Sequence, residues 1–284
     1  MAGWDFNEWL EGILNEDIGT GDHSTLASIP IESQGQAVLL VKQPGIIAGV
    51  EVARRILKRY DEDLACQVKI LDGQPVNVGD IVFSISGSAR SILTIERTVL
   101  NVMQRLSGIA TKTRSMVDLI SHTNAKLLDT RKTTPGMRTL EKSAVLLGGG
   151  QNHRHGLYDM IMLKDNHIDY CGGVAKAIEA THAYLAKHNL KLKIEIEVRN
   201  LLELAEVVGC GGVDRVMLDN FGLNEIKEAL VILGGQIETE ASGGINENTI
   251  VGIAETGVDY ISVGALTHSV SSLDLSLKAF SPNA

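Results

Sequence analysis

The spacing of apolar and polar positions changes character twice along the chain. At the start, Trp4, Phe6, Trp9, Leu10 and Ile13 recur at helical intervals and predict an amphipathic helix. The runs QAVLLVKQPGIIAG and VGDIVFSISGSA then alternate in short stretches broken by Gly and Pro, which predicts strands and turns in an α+β domain. A helical stretch starts near Ser91 and runs through ERTVLNVMQRLSGIATKTRSMVDLISH, with Ser107-Gly108 as a candidate break, and the domain boundary is placed there. From Lys126 onward, β-prone segments (KLLDT, DMIMLK, KIEIEV, RVMLDN, QIETEASGG, YISVGA) alternate with helical ones. Strands alternating with helices predict parallel βα units, either a barrel or a doubly wound sheet.

The segment ends favour the barrel. Nearly every one finishes on a polar, charged or glycine residue: Asp129-Thr130-Arg131-Lys132, Lys164-Asp165, Glu197, Asp219-Asn220, Ser242-Gly243-Gly244 and Gly264-Ala265. In a βα barrel the C-terminal strand ends converge on one mouth, so these groups would share one site.

Charge sharpens that picture. The chain carries a formal net charge of -9, which weighs against non-specific binding to nucleic acid or an anionic membrane. Yet Arg131, Lys132, Arg138, Lys142, His153, Arg154 and His155 fall between Lys126 and Lys164. Arg forks and Lys point charges suit a ligand with several carboxylates or phosphates; the alternative is a solvated basic helix face. SGGI at 242–245 and VGA at 263–265 follow the last two β-prone runs, where barrels often bind phosphate through backbone N–H groups. Glu197 and Asp219 end successive segments and could share magnesium, or serve as caps or salt-bridge partners. GGG at 148–150 lacks a nucleotide-loop context and reads as a flexible loop delivering His153 and Arg154.

His23 and His167 lack metal-ligand spacing and read as structural, and neither Ser107 nor Ser242 sits in a nucleophile elbow. Cys66, Cys171 and Cys210 are too few and too scattered for a disulfide framework, which fits a reducing, cytoplasmic setting. No export signal or membrane-length apolar run is expected from MAGWDFNEWLEGILNEDIG or the residues after it.

The motifs EDIGTGDHST, ERTVLNVMQRLSGIAT, DTRKTTPGMRTLEKSAVLLGGGQNHRHGLYDMIMLKDNHI, EVRN, MLDNF, EASGGI and GVDYISVGALTHS, in this order, resemble the quinolinate phosphoribosyltransferase family over essentially the whole chain. The resemblance implies an N-terminal α/β sandwich domain (1–112) joined to a C-terminal TIM-like α/β barrel (113–270). A last segment (271–284) would pack back on the first domain. It implies transfer of a phosphoribosyl group from phosphoribosyl pyrophosphate to quinolinate with loss of CO₂, on the route to NAD, with Mg²⁺ as cofactor. Arg131, His153, Arg154 and Lys164 would hold quinolinate within a strip that includes Thr130, and Lys132 would lie between the two substrates. Arg138 would support the pocket. Glu197 and Asp219 would face magnesium and ribose, while Ser242, Gly243, Gly244, Val263, Gly264 and Ala265 would cradle the 5′-phosphate. Lys132, Lys164, Glu197 and Asp219 would carry the catalytic roles. The family's homodimer would complete each site with Arg97 from the other subunit, against the alternative of a helix-surface pair with Glu96; assembly into hexamers stays open. Three rivals remain: a similar protein encoded with molybdate transport, an aldolase-type barrel with Lys164 as Schiff-base lysine, and a non-catalytic binder of anionic metabolites.

Overall fold

The computed structural model describes residues 4–280. Its elements, in chain order, begin with helices α1 (Phe6–Ile18) and α2 (His23–Ser28), strands β1 (Gln34–Val41) and β2 (Gly45–Ile46), and helix α3 (Val50–Tyr60). Strands β3 (Ala65–Val68), β4 (Pro75–Val76) and β5 (Ile81–Ser88) lead into the long helix α4 (Ala89–Leu119). Then come β6 (Lys126–Leu128), α5 (Arg138–Leu147), β7 (Ile161–Leu163), α6 (Asp165–Cys171), α7 (Val174–His188), β8 (Ile194–Val198) and α8 (Leu201–Cys210). The chain closes with β9 (Arg215–Asp219), α9 (Leu223–Leu233), β10 (Glu238–Ser242), α10 (Ile250–Ala254), β11 (Tyr260–Ser262), α11 (Ala265–His268) and β12 (Leu275–Ala279).

Two compact units emerge. Among the described residues, the first comprises 4–114, Thr134–Gly149 and 269–280. Asp5 caps α1 by accepting the N–H groups of Asn7 and Glu8, and the apolar stripe predicted there buries Phe6 and Leu10. The main sheet of this unit is antiparallel in the order β12-β1-β5-β3, with Leu39 opposite Leu277 and Val41 opposite Leu275. Period-2 alternation sends Ala37, Leu39 and Val41 inward, where each is buried. A smaller pair, β2 and β4, completes the strands.

Three expectations are corrected in this unit. Helix α4 runs unbroken through Ser107 and Gly108. A Cβ on Gly108 would collide with the backbone oxygen of Ser271, so the glycine admits a close chain crossing rather than ending the helix. The buried Ser107 hydroxyl sits 2.9 Å from the Ala48 amide and 3.1 Å from the Ala48 carbonyl oxygen. The GGG stretch is no flexible loop at its first residue, where an added Cβ would lie 2.5 Å from the Ala110 oxygen and from Thr113. The segment Thr134–Gly149, expected within the contiguous range 113–270, groups with the first unit. Two contacts tie it there: the buried Glu141 carboxylate pairs with Arg105 of α4 at 3.0 Å, and Gly148 packs against Ala110 and Thr113 of the same helix.

The second unit, Ser115–Thr133 and Gly150–His268, is the TIM-like half. Its six parallel strands follow the order β6-β11-β10-β9-β8-β7, each β-prone segment of the sequence giving one. Gln151 bridges to Leu128 in parallel fashion and extends the β6 edge. All five residues of β8 are buried, as expected for a parallel strand covered on both faces.

Candidate active site

Parallel strands bring their C-terminal ends together, and here those ends surround one cavity of about 840 Å³ in the second unit. Thr130, Arg131 and Lys132 reach it after β6, His153 and Arg154 after the Gln151 bridge, and Lys164 after β7. Glu197 comes from β8, Asp219 from β9, Ser242 to Gly244 from the end of β10, and Val263 to Ala265 from the turn after β11. Arg97 does not line this cavity; it is exposed on α4, and no ion pair joins it to Glu96 among the described residues. Arg138 and Lys142 belong to α5 in the first unit, with Lys142 buried, so the basic run of the sequence divides.

At the mouth, the Lys164 ammonium lies 2.7 Å from Glu197, with the lysine side chain 45% exposed. A solvated, paired ammonium is the opposite of the desolvated lysine that Schiff-base chemistry needs, which removes the structural support for the aldolase rival. Asp219 is held on both oxygens: Ser242 Oγ donates to one at 2.7 Å and Asn220 Nδ2 to the other at 2.7 Å. The Ser242 hydroxyl is thereby committed, leaving the backbone of the following glycines to meet an anion. Gly243 has φ +97, and a Cβ there would collide with Asn220 Oδ1, so only glycine fits. A Cβ on Gly264 would lie 2.9 Å from Lys132 Cδ, and the buried Thr267 hydroxyl donates to the Lys132 carbonyl at 2.7 Å.

Glu197 and Asp219 supply hard carboxylate oxygens on adjacent strands. That donor set fits magnesium, which takes one or two carboxylates and fills its shell with water and phosphate. The group of three with metal-ligand spacing among the described residues is a different one, His153 with Glu195 and Glu240.

That deeper cluster was not anticipated from the sequence. His153 Nε2 lies 2.9 Å from Glu195 and 3.4 Å from Glu240, both carboxylate side chains being fully buried. Burial works against a charged ring, and the two carboxylates beside it outweigh burial, so the histidine pKa is drawn upward. The Arg154 amide donates to Nδ1 at 2.6 Å, a contact only a ring unprotonated at Nδ1 can accept, so in this geometry the proton sits on Nε2 and the amide N–H opposes the pull of the two carboxylates towards the charged ring. Both ring nitrogens of His153 therefore have partners within the protein. Arg215 pairs with Glu240 at 2.9 Å and with Glu238 at 3.1 Å, and stacks 3.9 Å over the Tyr260 ring. The signal for these residues lay in the alternating glutamates of IEIEV and ETEAS.

Arg154 has its pKa lowered by burial and then by the neighbouring charge of Arg131. Two guanidinium groups held this close repel each other, and a ligand with two carboxylates relieves that repulsion. No helix among the described residues is long and apolar enough to cross a membrane.

Comparison with known proteins identifies the family. Residues 22–107 match the model of the quinolinate phosphoribosyl transferase N-terminal domain, and 109–278 that of its C-terminal domain. The chain is similar to a Nicotiana tabacum quinolinate phosphoribosyltransferase [decarboxylating], at 43% identity over 97% of this chain and 82% of the relative. It is also 43% identical to a probable nicotinate-nucleotide pyrophosphorylase [carboxylating] of Bacillus subtilis, over 94% of this chain and 92% of that one. Among solved structures, the nicotinate-nucleotide pyrophosphorylase of Francisella tularensis superposes with TM-score 0.89 at 40% identity, covering 97% and 96% of the two chains.

Proposed function

The chain belongs to the quinolinate phosphoribosyltransferase family, and on that premise we propose that the strand-end cavity of its second unit transfers the phosphoribosyl group of phosphoribosyl pyrophosphate to quinolinate. Pyrophosphate and CO₂ leave, and nicotinate mononucleotide, a precursor of NAD, is formed. The observation that carries this reading is the gathering of Arg131, Lys132, His153, Arg154 and Lys164 around the same cavity as two glycine-containing strand-end turns.

The chemistry asks for placement more than for a protein nucleophile. The pyridine nitrogen attacks C1 of the ribose as the bond to pyrophosphate breaks. The protein's task is to align these atoms and stabilise the negative charge that builds on the leaving group. Arg131 and Arg154 hold the two carboxylates in fork contacts, Lys164 and Lys132 add point charges, and the backbone of Gly243, Gly244 and Gly264 receives the 5′-phosphate. Alkylation turns the ring into a pyridinium, which can take up the electron pair left when the adjacent carboxylate departs as CO₂. Mg²⁺, held by Glu197 and Asp219, would neutralise charge on the pyrophosphate. The Lys164–Glu197 contact must then open or be shared as substrates enter.

The active unit is proposed to be a homodimer in which Arg97 reaches the other subunit's cavity; its exposure on α4 supports this. The compartment proposed is the cytoplasm. Cys66, Cys171 and Cys210 are free thiols, in keeping with reducing surroundings.

The test is incubation of purified protein with quinolinate, phosphoribosyl pyrophosphate and Mg²⁺, following nicotinate mononucleotide and CO₂, with nicotinate as parallel substrate. Product from quinolinate alone is expected. Folded protein that makes product from neither substrate defeats the reading and favours the molybdate-transport relative; binding of phosphoribosyl pyrophosphate without product would identify a non-catalytic binder.

A further inference from the structure

We propose that Glu195 and Glu240 are positioning residues for the dicarboxylate: acting through His153, they hold Arg154 in place at the cavity. The proposal rests on the function given above and deepens it. Neither glutamate lines up with the mouth carboxylates in exposure, since both side chains are fully buried. Buried carboxylates are costly unless something pairs with them, so these two need a structural or functional return.

The chain of contacts supplies it. Glu195 and Glu240 fix the Nε2 edge of His153 at 2.9 and 3.4 Å. The histidine main-chain N–H donates to Asp129 at 2.8 Å, a residue with no exposed surface. Held at both points, the ring presents Nδ1 to the Arg154 amide at 2.6 Å. The Arg154 guanidinium is in turn pinned by the Met160 carbonyl at 3.2 Å. This arginine must be held because Arg131 repels it and burial disfavours its charge. Arg215, 2.9 Å from Glu240, already provides that glutamate with a cation, so the cluster is closed by a side chain rather than by a metal ion.

Glu195→Gln and Glu240→Gln keep shape and remove charge. In the full-length protein, both are expected to raise the KM for quinolinate by about tenfold, the scale seen when groups supporting a ligand-binding residue are lost. The KM for phosphoribosyl pyrophosphate is expected to change less than about twofold and kcat less than about threefold. A merely structural role would move both KM values together. An unchanged KM for quinolinate, or an equal rise for both substrates, overturns the proposal. Should Glu240→Gln fail to fold, Glu195→Gln, whose carboxylate makes no ion pair with an arginine among the described residues, decides alone. Wild-type protein assayed beside them separates the two readings: if it is inactive, the function above falls, and quinolinate affinity by calorimetry in the same variants then decides the positioning role. Equal affinity, or no binding by any of them, overturns it.

Discussion

Strand β8 carries two glutamates two residues apart, and they live in different worlds. Glu197 stands at the mouth against a half-exposed Lys164, whereas Glu195 lies one inward layer deeper, sealed from water beside His153. β9 and β10 repeat the contrast, with Asp219 and Ser242 at the mouth and Arg215 and Glu240 below. Residues i and i+2 of a strand face the same way, so the difference is one of depth, not of face. At the mouth a carboxylate can exchange its lysine for a ligand's cation. In the interior it has no such freedom, and its worth is in what it holds still.

The comparison breaks most visibly if the deep layer loses its cation. Arg215→Met leaves Glu240 and Glu195 with only His153 between them, and the loss should approach the ~3–5 kcal/mol typical of a broken buried pair, read as a large drop in denaturation midpoint. Retention of the wild-type midpoint would show that the deep layer is not held by charge. Arg131→Ala should leave stability nearly intact while lowering kcat/KM for quinolinate on the order of a hundredfold or more, because a two-point charged contact is lost. Wild-type kinetics would remove Arg131 from the substrate site. Glu197→Gln should shift the Mg²⁺ requirement upward by roughly tenfold with little change in melting temperature; an unmoved titration would free Glu197 from metal binding. The smallest effect concerns the turn after Arg154. Burial raises the Asp159 pKa, and the N–H groups of His155 and Gly156 outweigh it and leave it lowered. Its contribution is therefore present above the ordinary carboxylate value and lost as pH falls through the depressed one. Amide shifts of His155 and Gly156 should move only in that acid range, and movement near neutrality would contradict the assignment.

What the sequence disclosed follows the same division. Mouth residues were legible because each ends an apolar run, and a polar group at the end of a βα strand has few places to go but the site. Glu195 and Glu240 were not, because alternation such as IEIEV ordinarily means a strand with one wet face; in this sheet both faces are covered and the glutamates point inward. Glycines misled in a related way. Gly108 and Gly148 looked like a break and part of a flexible loop, yet each marks a place where another stretch of chain comes too near for a side chain. Such approaches depend on residues distant in sequence, Ser271 for the one and Ala110 with Thr113 for the other, so no local reading could find them. The departure of Thr134–Gly149 from the second unit has the same origin in Glu141 and Arg105.

The pairing of β12 with β1 has a consequence for how the protein is made. Strand β1 has β12 as its neighbour on one side, and β12 lies more than two hundred residues further along the chain. Every residue of the second unit is synthesised before it. Domains usually mature in the order of translation, N-terminal first; here the first unit must wait for a strand translated after the second. Until residues 275–279 emerge, the nascent protein carries β1 as an open edge, with Leu39 and Val41 awaiting their partners, and is a template on which a neighbouring nascent chain could pair.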